Sequence, residues 1–104
     1  PAGSHVSSFH VDVLAYVKHV RPDLQTAYIV TKKFDWSHMM YYPFVDVIHA
    51  HKRLYKKANL QACLAANRTC RFYGIDGTEA FLKEPHEAVI GWIADDVTAV
   101  KRAQ

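Results

Sequence analysis

His49 and His51 stand two residues apart in the stretch VDVIHAHKRL. If that stretch is a β-strand, Val45, Val47, His49 and His51 lie on one face and Asp46, Ile48 and Ala50 on the other. A His-x-His pair on one face is a spacing that can hold zinc or another transition metal in metal-dependent hydrolases. The third ligand would come from a neighbouring strand end, Asp76 or Asp95. The competing reading makes His49 a hydrogen-bonded interior residue and His51 a rim residue. A basic run follows, His51-Lys52-Arg53 and then Lys56-Lys57 with Tyr55 among them. It reads either as a solvated helix start or as a phosphate-facing patch. The stretch FYGIDG, residues 72–77, poses a similar choice. It is a ligand-binding lip at a strand end, or a turn in which Gly74 and Gly77 relieve backbone strain and Asp76 caps the next helix.

Composition narrows the classes. With 104 residues, half of them hydrophobic, the chain is at most one domain with a modest core. Thirteen basic and 10 acidic residues leave a net charge of only +3, spread too evenly to argue for nucleic acid. No apolar run approaches the roughly 18 residues needed to span a bilayer. Pro1 to His5 reads as a tag or linker remnant, which leaves residues 6–104 as the domain. Cys63 and Cys70 fall near the two ends of one predicted helix. At about 1.5 Å per residue that separates them by roughly 10 Å, too far for a disulfide. Two reduced thiols fit a cytoplasmic protein.

The elements that must position these residues alternate. A short strand at Val6–Phe9 leads into an amphipathic helix whose Val13, Val17 and Val20 are expected to face inward, ending near Pro22. QTAYIV is a strand, FDWSHMMYY a short helix stopped by Pro43, and VDVIHAH a strand. KKANLQACLAAN is a helix with Leu60, Cys63, Leu64 and Asn67 on one stripe. CRFYGI is the next strand. Asp76 and Glu79 form a capping box for a helix closed by Pro85. AVIGWIA is a near-continuous apolar strand, and Asp95 or Asp96 caps a last helix carrying Val97 and Val100. Five βα units imply α/β class with a parallel sheet. Two architectures fit, a five-stranded doubly wound open sheet or a partial (β/α)₈ TIM-type barrel.

A resemblance separates them. VSSFHVDVLAYVKHVRPDLQTAYIV, VDVIHAHKRL, FYGIDG and IGWIADD, in this order and spacing, resemble the C-terminal half of the glycerophosphodiester phosphodiesterase family. Ser7-Ser8-Phe9 matches a strand end of that family, Pro22-Asp23-Leu24 a helix end, and His51-Lys52 a histidine-lysine pair. Tyr73-Gly74-Ile75-Asp76 stands where the family has aromatic-Thr-Val-Asn, and Gly91-Trp92-Ile93-Ala94-Asp95 where it has Gly-Ile-Ile-Thr-Asp. The resemblance implies a (β/α)₈ barrel that hydrolyses glycerophosphodiesters to glycerol 3-phosphate and an alcohol. Tyr73 would then pack on the glycerol part of the substrate, and His51 and Lys52 would line the pocket. His10 and Lys32, at the ends of the first two strands, are expected on the same face as phosphate contacts.

The family's acid and base histidines and its Mg or Ca carboxylates sit in His-Arg-Gly, Glu-x-Asp, His-Asp and Glu-x-Lys strings. None of the four occurs in this sequence. The expectation is therefore a substrate-pocket half that is inactive alone, completed by an N-terminal half or by self-association. The alternative is a non-catalytic binding or assembly module of the same descent.

Overall fold

The computed structural model describes residues 5–93. Five strands form one sheet, β1 (His5–Ser8), β2 (Gln25–Ile29), β3 (Val47–His51), β4 (Thr69–Tyr73) and β5 (Val89–Trp92). Their spatial order follows the chain order, and every neighbouring pair is parallel. The chain is thus an α/β protein with a five-stranded parallel sheet. His5, assigned from sequence to a remnant, is the first residue of β1 and pairs with Gln25. The expected last helix, with Asp95, Val97 and Val100, lies outside the described residues.

Register and alternation sort the side chains onto two faces. Ile48, Ala50, Cys70 and Phe72 share one face, and they belong to a single core with Leu14, Trp36, Met39, Leu60 and Cys63. Those last five come from the helix α1 (Val11–Val20), the 3₁₀ segment Trp36–Tyr41 and the helix α2 (Lys57–Ala65). These three of the four connections therefore cover the same side of the sheet. The opposite face carries Ala27, Ile29, Val47, His49, His51, Arg71 and Tyr73.

The strand periods read from sequence are those observed, while the helical faces are not. Val13 and Val20 of α1 are exposed, and Leu14 is the residue fully buried. The reason lies outside the helix. Lys18 Nζ donates to the Leu24 carbonyl at 2.8 Å and to Asp46 Oδ2 at 2.7 Å, which turns the Leu14–Lys18 side toward the sheet. Asp46 also accepts from Thr26 N at 2.9 Å, while Thr26 Oγ1 donates to the Phe44 carbonyl. One carboxylate thus ties α1, β2 and the start of β3.

In α2, Leu60 and Cys63 are buried as expected, but Leu64 and Asn67 are exposed. Asn67 is left-handed (φ 59°) and ends the helix, with Asn67 N donating to Leu64 O and Arg68 N to Cys63 O. This is a Schellman termination with asparagine where glycine is commonest. It reverses the chain and drops Cys70 on β4 beneath Cys63, with the sulfurs 3.2 Å apart. The separation of roughly 10 Å expected from one continuous helix is overturned, because the helix stops at Ala65. Both thiols are free and buried. Cys63 and burial push the Cys70 thiol well above the ordinary range.

The helix expected after Asp76 is a single 3₁₀ turn, Ala80–Leu82. Its place against the core is taken by rings: Tyr55 stacks on Phe81 with centroids 4.0 Å apart, and Phe81 on Trp92 at 5.5 Å. Among the described residues of AVIGWIA, the strand is Val89–Trp92, and a register shift beside Cys70 leaves Ile90 exposed.

Asp46 supplies the first prediction. Burial alone would raise its carboxyl pKa, but the bonds from Lys18 and Thr26 outweigh that and hold it below the usual range. Asp46→Asn should lower unfolding stability by about 1–3 kcal/mol in urea titration. In the parent chain this contribution should be full above about pH 4 and fade as pH falls through the depressed value.

Candidate functional site

The C-terminal ends of β2, β3 and β4 surround a cleft of about 230 Å³ lined by Val30, Thr31, Lys32, His51, Arg53, Leu54 and Tyr73. Three of the residues singled out from sequence, Lys32, His51 and Tyr73, meet in it. No acidic side chain lines it, and no ion pair is formed by Lys32 or Arg53 among the described residues.

His51 is oriented from both sides. Its Nδ1 accepts from Arg53 N at 3.1 Å and from Arg53 Nε at 3.2 Å. The Tyr73 ring meets it edge-on, with centroids 5.4 Å apart. Gly74 closes the far side: a Cβ there would stand 2.7 Å from His51 Nε2, and its φ of +79° already disfavours any other residue. The FYGIDG stretch is thus both a glycine turn and the wall that sets this imidazole.

The other expected contacts are elsewhere. Lys52 donates to Glu79 Oε2 at 2.6 Å and lies 3.5 Å from Asp76 Oδ2, away from the cleft lining. Glu79 first, then Asp76, raises the pKa of its ammonium group. Glu79 also accepts from Asp76 N and Gly77 N, while Asp76 Oδ1 accepts from Thr78, so the expected capping box is present as a loop clamp. His10 is exposed at the start of α1, its backbone N–H donating to Ser8 Oγ, and it does not line the cleft. Arg53 was missed as an individual residue. The signal was the basic run, whose patch reading fits Arg53 but not Lys52.

The metal alternative fares differently. His49 Nε2 faces Arg71 Nη1 at 3.1 Å, so a cation at that nitrogen would have to displace a guanidinium. Asp76 is held by Thr78 and Lys52. Among the described residues, no group of three or more His, Cys, Asp or Glu side chains could hold a metal. The cleft's own donor set, cationic and without a carboxylate, does not fit a divalent cation either.

A second cleft of about 540 Å³ lies next to the first and shares Thr31 with it. Phe9, Tyr28, Phe34 and Tyr42 give it an aromatic wall. No family model, curated protein or solved structure matches this chain. No helix of the described residues is long and apolar enough to cross a membrane.

Two predictions belong to this geometry. Gly74→Ala should displace the His51 ring and cost about 1–3 kcal/mol, read as a lower urea midpoint and a shifted His51 imidazole resonance. His49 supplies the second. Burial, then Arg71 and His5, push its pKa down to about 4. The native state then binds fewer protons than the unfolded chain between that value and the ordinary value of about 6.5. Stability should fall as pH drops through this window, by on the order of 2–3 kcal/mol, and His49→Gln should flatten the profile.

Proposed function

We propose that the cleft bounded by Lys32, His51, Arg53 and Tyr73 binds the phosphate group of a small phosphodiester or phosphomonoester. The chain would form one wall of a (β/α)₈ barrel of the glycerophosphodiester phosphodiesterase kind. The observation that carries this reading is the lining itself, with Lys32 and Arg53 as cations and no acid facing them. A phosphate would supply the absent counter-charge to Lys32 and Arg53, with the His51 ring as one side of the cleft. Tyr73 would offer its ring to the C–H groups of the glycerol backbone.

The sheet adds support. Strand order equal to chain order, with these three connections on one face, is the pattern of a barrel segment. A doubly wound sheet reverses its order at a switch point and covers both faces. The cleft stands at the C-terminal ends of the strands, where such barrels build their sites.

In this reading the chain binds but does not hydrolyse. The family's acid, base and cation-holding carboxylates have no counterpart strings in the sequence. One observation favours the second reading, a binding module with an inert pocket. Lys52, where the resemblance expects a substrate contact, is neutralised by Glu79 and Asp76.

Calorimetric titration with glycerol 3-phosphate tests the cleft. Binding in the millimolar range is expected, weakened about tenfold by Arg53→Ala, in keeping with the loss of one charge-assisted contact. Absence of binding would overturn the site. Turnover of glycerophosphocholine by the chain with Mg or Ca would overturn its catalytic incompleteness and leave the site standing.

A further inference from the structure

Cys63 in α2 and Cys70 in β4 bring their sulfurs to 3.2 Å. That is closer than the roughly 3.5–4.0 Å at which even two smaller, non-bonded carbons sit best. Both side chains are fully buried, and both thiols are free. Among the described residues neither sulfur has a second hydrogen-bond partner, so each faces the other alone. The backbone between them is fixed at three points. Asn67 N donates to Leu64 O, Arg68 N to Cys63 O and Cys70 N to Ala88 O, each at 2.9 Å. The turn therefore aligns the two thiols before any bond joins them. No third His, Cys, Asp or Glu stands with them among the described residues, so the pair does not read as a metal thiolate site.

We propose that Cys63 and Cys70 are a site of covalent modification, closing to an intramolecular disulfide by exchange with a low-molecular-weight disulfide. The chemistry takes two exchanges. With glutathione disulfide, one cysteine thiolate attacks a glutathione sulfur, breaks its S–S bond and releases one glutathione thiolate. The second cysteine thiolate attacks the protein sulfur of that mixed disulfide and releases the other glutathione. The two cysteine protons pass through solvent to the departing thiolates. The protein sulfurs lose two electrons, and glutathione disulfide gains them. From 3.2 Å, the sulfurs close by about 1 Å to reach the roughly 2.05 Å of the bond.

Access sets the route. In the closed fold Cys63 and burial keep the Cys70 thiol protonated, whereas the thiolate is the attacking species. Exchange therefore runs during folding, or through local opening of the turn at 66–69, whose residue Asn67 is exposed. The finished cross-link fastens the end of α2 to β4. It lies apart from the residues lining the phosphate cleft, so it stands or falls independently of the proposed function.

The test equilibrates the folded chain with glutathione and glutathione disulfide at graded ratios, starting from both reduced and oxidised protein. Remaining thiols are blocked with iodoacetamide, and the intact mass is read. The expected product is a monomer two hydrogens lighter that takes up no label, with Cys63 joined to Cys70 in the peptide map. For a loop of about eight residues, the effective concentration of one thiol toward the other should be roughly 50-fold higher in the folded chain than in urea. Full labelling of both cysteines at every ratio would overturn the proposal. Mixed or intermolecular disulfides alone would do the same, as would an effective concentration no higher in the folded chain than in the unfolded one.

Discussion

Parallel strands laid down in chain order impose one condition on everything else in this molecule. Each strand must be joined to the next by a crossover, and crossovers of this kind are almost always right-handed. When the sheet grows steadily in one direction, from β1 to β5, every crossover falls on the same side. That side holds the main apolar cluster, from Leu14 through Met39 to Leu60 and Phe72. The other side carries His49, Arg71 and His51 beside Ala27, Ile29 and Val47, with no acid on the paired positions. The cationic cleft is a local expression of that division, formed where this second face runs out at the strand ends.

Strand-level features were legible because they depend on neighbours two residues away. The β-branched and aromatic runs located β2, β3 and β4, and period two placed His49 and His51 together. Helix rotation was not legible in the same way. Val13, Val17 and Val20 satisfy an apolar stripe, yet α1 turns on the Lys18–Asp46 pair, whose members are 28 residues apart. Nothing within a helical window carries that information. The end of α2 was missed for a related reason. Asn67 continues the apolar spacing, and only its left-handed backbone shows that it terminates the helix.

The Asp76–Glu79 pattern shows how a sound local signal yields a different element. The two carboxylates make the backbone bonds that a capping box predicts. They also receive Lys52 from the end of β3, through contacts of 2.6 and 3.5 Å. With both acids held across to another strand, the segment is a clamp between two strand ends. The stacked rings of Tyr55, Phe81 and Trp92 then cover the core where an amphipathic helix would have lain.

That clamp also bears on the cleft. The basic run after β3 does not act as a unit, because the 3₁₀ turn Lys52–Leu54 sends consecutive side chains in different directions. Lys52 goes to the acids of the β4 loop, and Arg53 folds back onto His51 and the cleft. The arrangement removes the cation that would compete for those acids from the pocket, and it removes the acids with it. Had Lys52 lined the cleft instead, Glu79 and Asp76 would be without their shared partner beside it, and their charge would oppose an anion. The positive character of the pocket therefore rests as much on where the turn sends Lys52 as on the presence of Lys32 and Arg53.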